Sequence, residues 1–553
     1  MKISVFRTLW CPLFVGSAVV AMPASNDTPA YTDPALPLEQ QVDDLLGRLT
    51  LEEKVSLLSG GTPFGTKAIE RVVIPALDFN DGPAGVRSNN SDPTLAYPVG
   101  IALASTWNPA LVQEVGAAIG RDGRTNGAEV VLAPSVNIQR VPLAGRNFEA
   151  YSEDPYLSGA IGIGYVRGLQ GEGIGASVKH FVGNEQELER MRGSSLIGER
   201  ALREIYLRPF EMIVKEAEPW TAMCAYNRVN GAYMSQHRHL LRDILKEEWG
   251  FDGLVMSDWG AVHATVEPVS AGLDLEMPGP PKFLGDRLVE AVKNWQVEER
   301  EIDDAARRVL RLVLRTGALD GETKARTTDS DGRNRRIALQ AAEEGIVLLK
   351  NDGGFLPLRT AALKSLAVIG PNADFALSGG GGSSKVVPSR MVTPVESLRS
   401  LVPEGVQITY AKGVDNDTSA SVAQPQHFSP TLERAESGLT ISYFANADFS
   451  GEPVKTAIDT WFDKKGFGAE VLMRQPQPPM SVRWEGYFWP PEDGEYEFKL
   501  WGYGRGQLEM DGKPVFVGKT SLGWRPGGDL VAACSLADSQ GSSASRPAGR
   551  GET

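Results

Sequence analysis

Short apolar runs alternate with amphipathic stretches over residues 38–317, and this alternation constrains the fold more than any other feature. At 253–259 the run Gly-Leu-Val-Met leads into Ser-Asp-Trp, and the stretch 301–316 is one of several amphipathic segments between such runs. Alternating strands and helices predict a parallel sheet with helices outside it. About 280 residues of this pattern favour a closed, TIM-like (β/α)8 barrel over an open sheet. The predicted fold class is therefore α/β.

Polar residues at the ends of these runs predict a pocket. Asp81 ends one run, Lys179 and His180 end a second, Tyr226 ends a third and Asp258 ends a fourth. The carboxyl ends of parallel strands meet at one face of a barrel, and that face carries the active site. A single aspartate at a strand end more commonly caps the following helix. Four polar strand ends together favour a pocket instead.

The rest of the chain predicts a linker at 318–335, a second α/β unit at 336–420 and an all-β module at 436–520. The β module is aromatic, β-branched and carries an Asp-Gly hairpin signal, and it is interpreted as incomplete. The glycine-rich segment 378–384 lacks the Gly-Lys-Ser/Thr ending of a phosphate-binding loop and is predicted to be a mobile loop. Residues 521–553 lack apolar periodicity and are predicted to be a disordered or aberrant tail.

The N-terminus predicts export. Lys2 and Arg7 precede an apolar stretch at 9–22, which is typical of a signal peptide over 1–24 and short for a membrane span. The protein is therefore expected to be secreted, either extracellular or periplasmic, with no membrane attachment after signal removal. The sequence leaves the oligomeric state open.

Charge and composition disfavour several kinds of partner. The net charge of −14 argues against binding nucleic acid or an acidic membrane surface. Three cysteines and five histidines occur without zinc-ligand spacing. We therefore expect neither a metal site nor a cofactor.

Five motifs occur in a fixed order: NDGPAGVR (80–87), PSVNIQRVPLAGRNFEAYSEDPYL (134–157), KHFVGNEQE (179–187), MCAYNRVNG (223–231) and GFDGLVMSDWGA (250–261). In these motifs the chain resembles glycoside hydrolase family 3, β-glucosidase branch. The resemblance implies the N-terminal barrel domain at 38–317 and the first part of the C-terminal α/β sandwich domain at 336–420. The segment from 436 resembles the protective-antigen-type β-sandwich that some of these enzymes carry as an insertion.

The resemblance implies hydrolysis of terminal non-reducing β-D-glucosyl residues from β-glucosides or short β-glucans, as in polysaccharide catabolism and cellulose degradation. The mechanism implied is retaining, with two carboxyl groups about 5–5.5 Å apart. Asp258 matches the nucleophile. Lys179 and His180 match donors to sugar hydroxyls. The substrate-binding set implied by the resemblance is Asp81, Arg146, Lys179, His180, Met223, Tyr226 and Trp259.

The acid/base residue has no match in this sequence. The β-glucosidase branch takes it from a glutamate of the second domain, beyond the inserted sandwich, whereas another branch uses an Asp-Ser-His loop. Residues 181–192 contain no such loop. We therefore expect a C-terminally truncated chain that lacks the acid/base and whose turnover is doubtful. The alternatives are a non-catalytic sugar-binding protein or a related exo-glycosidase such as a β-xylosidase.

Overall fold

The computed structural model describes residues 29–89, 92–320, 332–414, 425–459, 481–490, 504–520 and 531–538. The predicted signal peptide (1–24) and the central part of the predicted linker (321–331) lie outside these residues. No helix within the described ranges is long and apolar enough to cross a membrane.

Five parallel strands form the centre of the first domain. They pair in chain order and are buried along their whole length, as their apolar sequences require. The strands are β1 (Phe79–Asp81), β2 (Val130–Leu132), β3 (Gly175–Phe181), β4 (Thr221–Cys224) and β5 (Leu254–Ser257).

Isolated bridges lead from the last strand of this sheet, β5, to the residue that precedes the first strand, β1. Met256 pairs with Leu275, Ser59 pairs with Glu276, and Asp78, which precedes β1, pairs with Gly65. Thus the predicted α/β class is confirmed, with five regular strands and short bridged segments in place of eight strands. Near residue 60 the backbones of Gly60 and Gly279 approach closely. A Cβ at Gly60 would lie 2.4 Å from the Gly279 nitrogen.

Helices surround the sheet. The sequence pattern at 38–59 predicts one helix, but the structure has two, because Thr50 caps the start of the second. The Thr50 hydroxyl accepts from the Glu53 amide, and the Glu53 carboxylate accepts from the Thr50 amide. Leu202–Tyr206 and His239–Glu248 are π-type helices. The α-helices are α1 (Leu38–Arg48), α2 (Leu51–Leu57), α3 (Gly100–Ser105), α4 (Pro109–Thr125), α5 (Pro155–Gly171), α6 (Arg208–Ala217), α7 (Val266–Ala271), α8 (Asp286–Lys293) and α9 (Glu299–Arg315).

The second domain begins with α10 (Arg333–Gly345), which packs on α4. Its parallel strands β6 (Ser365–Ile369) and β7 (Gln407–Ala411) pair with each other, and α11 (Pro394–Leu401) lies between them in the chain. The apolar run at β6 predicts a buried strand. Its residues instead alternate between exposed and half-buried, so one face of the two described strands is only partly covered and the other is exposed.

A seven-stranded sheet follows, in the order β10-β9-β11-β14-β12-β13, with β8 paired to β11. Its last strand falls within 521–553, the segment predicted to be a disordered or aberrant tail, of which 521–530 and 539–553 lie outside the described residues. At 531–538 the backbone pairs in parallel with a strand on each side. The strands are β8 (Phe428–Ser429), β9 (Leu439–Phe444), β10 (Lys455–Asp459), β11 (Ser481–Phe488), β12 (Gly504–Met510), β13 (Lys513–Thr520) and β14 (Val531–Asp538).

Glycines let α4 and α5 pack with their backbones almost in contact. A Cβ at Gly116 would lie 2.4 Å from the Tyr165 carbonyl oxygen, and one at Gly168 would lie 2.0 Å from the Gln113 carbonyl oxygen. Backbone atoms cannot move aside as a flexible side chain can. The close spacing of α4 and α5 therefore depends on glycine, which has no side chain, at positions 116 and 168.

We predict that Gly116→Ala lowers the free energy of unfolding by about 1–3 kcal/mol through overpacking, despite the better helix propensity of alanine. The matched control is Gly47→Ala in α1, where no atom lies within 4 Å of the added Cβ. That change should raise stability by about 0.5–1 kcal/mol. Denaturant unfolding of both variants checks the prediction, and equal stabilities would contradict it.

Candidate active site

Four of the predicted site residues converge at the carboxyl ends of the strands. Asp81 ends β1, Lys179 and His180 lie near the end of β3, and Asp258 directly follows β5. The Lys179 Nζ lies 3.4 Å from Asp81 Oδ1, and the His180 Nε2 lies 3.8 Å from Asp258 Oδ2. All four side chains are buried. β1, β3 and β5 are alternate strands of the parallel sheet, and their carboxyl ends bring these four side chains together at one face.

Arg146 joins these residues from the loop between β2 and α5. Its Nε and Nη2 atoms donate to the Glu149 carboxylate at 3.0 and 2.7 Å. Its Nη1 atom lies 3.0 Å from His180 Nε2. Burial alone would lower the pKa of Arg146, but the carboxylates of Glu149, Asp258 and Glu187 together outweigh burial and raise it. The guanidinium is therefore a permanently charged group beside the strand ends.

The two oxygens of Asp258 differ. Oδ1 accepts a hydrogen bond from the Trp259 amide at 2.8 Å. Oδ2 is buried and has no hydrogen-bond partner among the described residues. Burial raises the pKa of Asp258, while the positive charges of Arg146, Lys179 and Arg190 act in the opposite direction. An oxygen with uncommitted lone pairs, surrounded by cations, is arranged to react with an electrophilic carbon.

Asp81 also combines burial with nearby cations. Burial raises its pKa, and the charges of Lys179, Arg87 and Arg146 oppose that rise. Arg87 Nη1 lies 3.6 Å from Asp81 Oδ2. The carboxylate is thus held between two cations and keeps acceptor capacity for a ligand hydroxyl.

Tyr226 lies two residues beyond β4 and stacks beneath a cation. The Arg190 guanidinium carbon is 4.5 Å from the centre of the tyrosine ring. Burial raises the pKa of Tyr226 well above its ordinary value, and the Asp258 carboxylate adds to the rise. The phenol therefore stays protonated and can donate a hydrogen bond at neutral pH.

The two remaining predicted residues occupy different surroundings. Met223 lies inside β4, directly opposite Met256 in the ladder, and belongs to the hydrophobic core. Trp259 is partly exposed, its Nε1 donates to the Pro63 carbonyl at 2.8 Å, and its ring lies 5.3 Å from that of Phe64. Trp259 is thereby fixed at the rim, where one face of the ring can cover a ligand.

The glycine-rich segment 378–384 packs against the site, whereas the sequence predicts a mobile loop. The Ser383 hydroxyl accepts from Arg146 Nη2 at 3.2 Å. A Cβ at Gly380 would lie 2.4 Å from the ring of Phe148, so the missing side chain lets this loop approach the first domain. The run of glycines was the sequence feature that could have indicated the close approach of this loop to the first domain. The partner residue could not be inferred, because it lies 237 residues away.

A small cleft, open to solvent, lies beside Arg146 and His180 and is also lined by Asn137, Glu185 and Glu187. Burial raises the pKa of Glu185 to about 8, so this carboxyl group is mostly protonated at neutral pH. Sequence patterns indicated neither Asn137 nor Glu185. Within the described ranges no group of three or more His, Cys, Asp or Glu side chains could hold a metal ion.

Comparison with known families agrees with this geometry. The Glycosyl hydrolase family 3 N terminal domain matches residues 58–312, and the Glycosyl hydrolase family 3 C-terminal domain matches residues 346–466. The chain belongs to glycosyl hydrolase family 3. A PA14 domain matches residues 435–538, which includes β14.

Curated relatives of this family member are similar over most of its length. A beta-glucosidase from Rhizobium radiobacter is 40% identical over 498 residues, covering 88% of this chain and 58% of that protein. Beta-glucosidase B from Emericella nidulans is 38% identical over 507 residues, with the same 88% and 58% coverage. The chain thus spans 58% of the length of these two relatives.

Solved structures of family members share the fold. The beta-glucosidase from Kluyveromyces marxianus in complex with glucose matches with a TM-score of 0.68 and 36% identity, covering 76% of this chain and 52% of that one. Beta-glucosidase 3B from Thermotoga neapolitana in complex with glucose matches with a TM-score of 0.62 and 39% identity, covering 66% of this chain and 55% of that one.

We predict that Lys179→Met lowers the free energy of unfolding at pH 7 by about 3–5 kcal/mol, because it leaves Asp81 buried without its nearest described cation. Removing that charge raises the pKa of Asp81 further. A carboxyl group whose pKa is higher in the folded state than in the unfolded state stabilises the folded state at low pH. This stabilisation is lost as the pH rises. The deficit should therefore be smaller at pH 4 than at pH 7.

Urea unfolding at both pH values measures this effect. The control is Lys179→Met combined with Asp81→Asn, which removes the stranded charge and should regain part of the stability. If Lys179→Met is as stable as the wild type at pH 7, the Lys179–Asp81 pair does not contribute the predicted stability.

Proposed function

We propose that this chain acts on terminal non-reducing β-D-glucosyl residues of β-glucosides or short β-glucans by a retaining mechanism, with Asp258 as the nucleophile. The observation that carries the proposal is Asp258 Oδ2, a buried carboxylate oxygen without a hydrogen-bond partner among the described residues. Relatives described as beta-glucosidases, and solved structures of such relatives with glucose, support the choice of sugar.

The surrounding charges suit the terminal sugar. Asp81 offers acceptor oxygens, Lys179 offers ammonium donors, and Arg146 has one Nη1 hydrogen beyond those used in its described bonds. Sugars carry closely spaced hydroxyls that both donate and accept, and hydrogen bonds to charged groups are the strong ones. The partly exposed ring of Trp259 supplies an apolar surface for the C–H face of the sugar.

In the proposed reaction, Asp258 Oδ2 attacks the anomeric carbon and the glycosidic C–O bond breaks, with its electron pair leaving on the aglycone oxygen. The product of this step is a glycosyl ester of Asp258. Water then attacks the same carbon, a proton is lost to solvent or a base, and the carboxylate is regenerated. The first step needs no proton donor when the leaving group is a strongly acidic phenol, so such a substrate tests Asp258 by itself.

We predict that an activated aryl 2-deoxy-2-fluoro-β-D-glucoside labels the full chain once, on the peptide that contains Asp258. The fluorine slows both steps by destabilising the oxocarbenium-like transition state, and the acidic phenol restores the first, so the glycosyl ester accumulates. Intact-protein and peptide mass spectrometry measure the label. Asp258→Asn, which keeps the size of the side chain but removes the attacking charge, should not be labelled.

Three outcomes would contradict the proposal in different ways. Labelling of another carboxylate would move the nucleophile elsewhere. Glucose binding by calorimetry without any label would favour a non-catalytic sugar-binding protein. Faster labelling by the corresponding xyloside would favour a β-xylosidase.

We also propose that the protein is exported. The support is the sequence of residues 1–24, in which Lys2 and Arg7 precede an apolar stretch. Expression of the full chain followed by N-terminal sequencing should find the protein outside the cytoplasm, with a new N-terminus after this segment. Recovery of the uncleaved chain in the cytoplasm alone would contradict export.

A further inference from the structure

The side-chain amide of Asn137 has one orientation that satisfies its neighbours. Asn137 lies in the loop that follows β2, and its Oδ1 is 2.8 Å from the backbone nitrogen of His180. Its Nδ2 is 3.0 Å from the backbone oxygen of His180. A backbone N–H can only donate and a backbone carbonyl can only accept, so these two contacts fix which end of the amide is which.

The fixed amide determines where the proton of the His180 ring lies. The ring Nδ1 is 3.0 Å from Asn137 Oδ1, and an amide oxygen can only accept, so Nδ1 must carry the hydrogen. Burial and the charges of Arg146, Lys179 and Arg190 hold the pKa of His180 well below its ordinary value, which keeps the ring neutral. Nε2 therefore has a free lone pair.

The contact with Arg146 agrees with this assignment. Arg146 Nη1 lies 3.0 Å from His180 Nε2, and a guanidinium can only donate. The hydrogen-bond directions thus run without conflict from Arg146 to the ring and from the ring to Asn137. In this arrangement His180 is an acceptor for Arg146, in place of the donor to a sugar hydroxyl that the family resemblance implies.

The same tautomer leaves the candidate nucleophile free. His180 Nε2 is 3.8 Å from Asp258 Oδ2, and with Nδ1 protonated both atoms are acceptors, so no hydrogen bond forms between them. The other tautomer would place an N–H at that position, where a small ring rotation would let it donate to Oδ2. Such a bond stabilises the carboxylate before attack and makes it a weaker nucleophile.

We propose that Asn137 is a positioning residue that holds His180 in the Nδ1–H tautomer and thereby prevents His180 from donating a hydrogen bond to Asp258 Oδ2. The tautomer follows from the contacts alone, whereas the effect on reactivity rests on the proposed function of Asp258. The two parts are therefore tested by separate measurements.

The first measurement is nitrogen NMR of the full chain labelled with ¹⁵N-histidine. The chain has five histidines, and the His180 signals are identified by their loss in His180→Gln. The wild type and Asn137→Asp, which both offer an acceptor oxygen to the ring, should show protonated Nδ1 and bare Nε2 above pH 7. Asn137→Leu leaves Nδ1 without an acceptor, so the ring should turn from Arg146 toward Asp258 and show protonated Nε2. A wild-type ring protonated at Nε2, or an unchanged ring in Asn137→Leu, would overturn the proposal.

The second measurement is the pH dependence of labelling by the aryl 2-fluoro-glucoside. In Asn137→Leu the new bond to Asp258 should slow labelling about 10- to 100-fold, the range of a hydrogen bond to a charged group. Because that bond also favours the ionised form, the acid limb of the profile should move down by about 1–2 pH units. Slower labelling with an unmoved acid limb would mean that Asn137 is only structural, and would overturn the proposal.

Asn227→Leu is the matched control. Asn227 is also buried, and its Nδ2 also donates to backbone oxygens at the end of β3, those of Val182 and Gly183, but it has no described contact with His180. In Asn227→Leu, the acid limb of the labelling profile and the His180 tautomer should match those of the wild type. If the wild type is not labelled at all, the proposed function fails, and the NMR measurement alone decides the tautomer. If Asn137→Leu does not fold, the wild type and Asn137→Asp spectra still decide it.

Discussion

The burial of one carboxylate oxygen, Oδ2 of Asp258, without a hydrogen bond determines what surrounds it. A buried charge is costly unless other charges compensate it. Here Arg146, Lys179 and Arg190 provide the compensation. Arg146 and Lys179 also need partners, which are Glu149 and Asp81. The site is therefore a set of alternating charges in which each member stabilises the next, and Asp258 Oδ2 has no hydrogen-bond partner among the described residues.

The fold supplies this arrangement by placing each charge on a well-packed element. Asp81, His180 and Asp258 lie at the carboxyl ends of β1, β3 and β5, which are alternate strands of a buried parallel sheet, so the sheet fixes their backbone positions. Beyond β5, Asp274 accepts from the Val255 amide of that strand at 2.8 Å while pairing with buried Lys246 at 2.6 Å. This second buried pair, Lys246 and Asp274, holds β5 in place, the strand that directly precedes Asp258. The loop with Ser383 adds a contact from the second domain.

Sequence patterns predicted the residues whose position follows from a strand end. Asp81, Lys179 and Asp258 could be predicted because an apolar run that stops at a charge places that charge at the rim of a barrel. Asn137 and Glu185 could not, because they act through contacts with residues brought close only by folding. Asn137 contacts His180 across 43 positions. For the same reason β14 was missed: its pairing partners, and not its own composition, make it a strand.

A crystal structure of the full chain with glucose tests the central claim most directly. The account predicts that the anomeric carbon lies about 3–3.5 Å from Asp258 Oδ2, the distance of a near-attack geometry. It also predicts that Asp81, Lys179 and Arg146 contact the sugar hydroxyls while His180 Nε2 remains bonded to Arg146. Glucose bound away from the strand ends, or Asp258 Oδ2 within hydrogen-bond distance of a rotated His180 ring, would contradict the account.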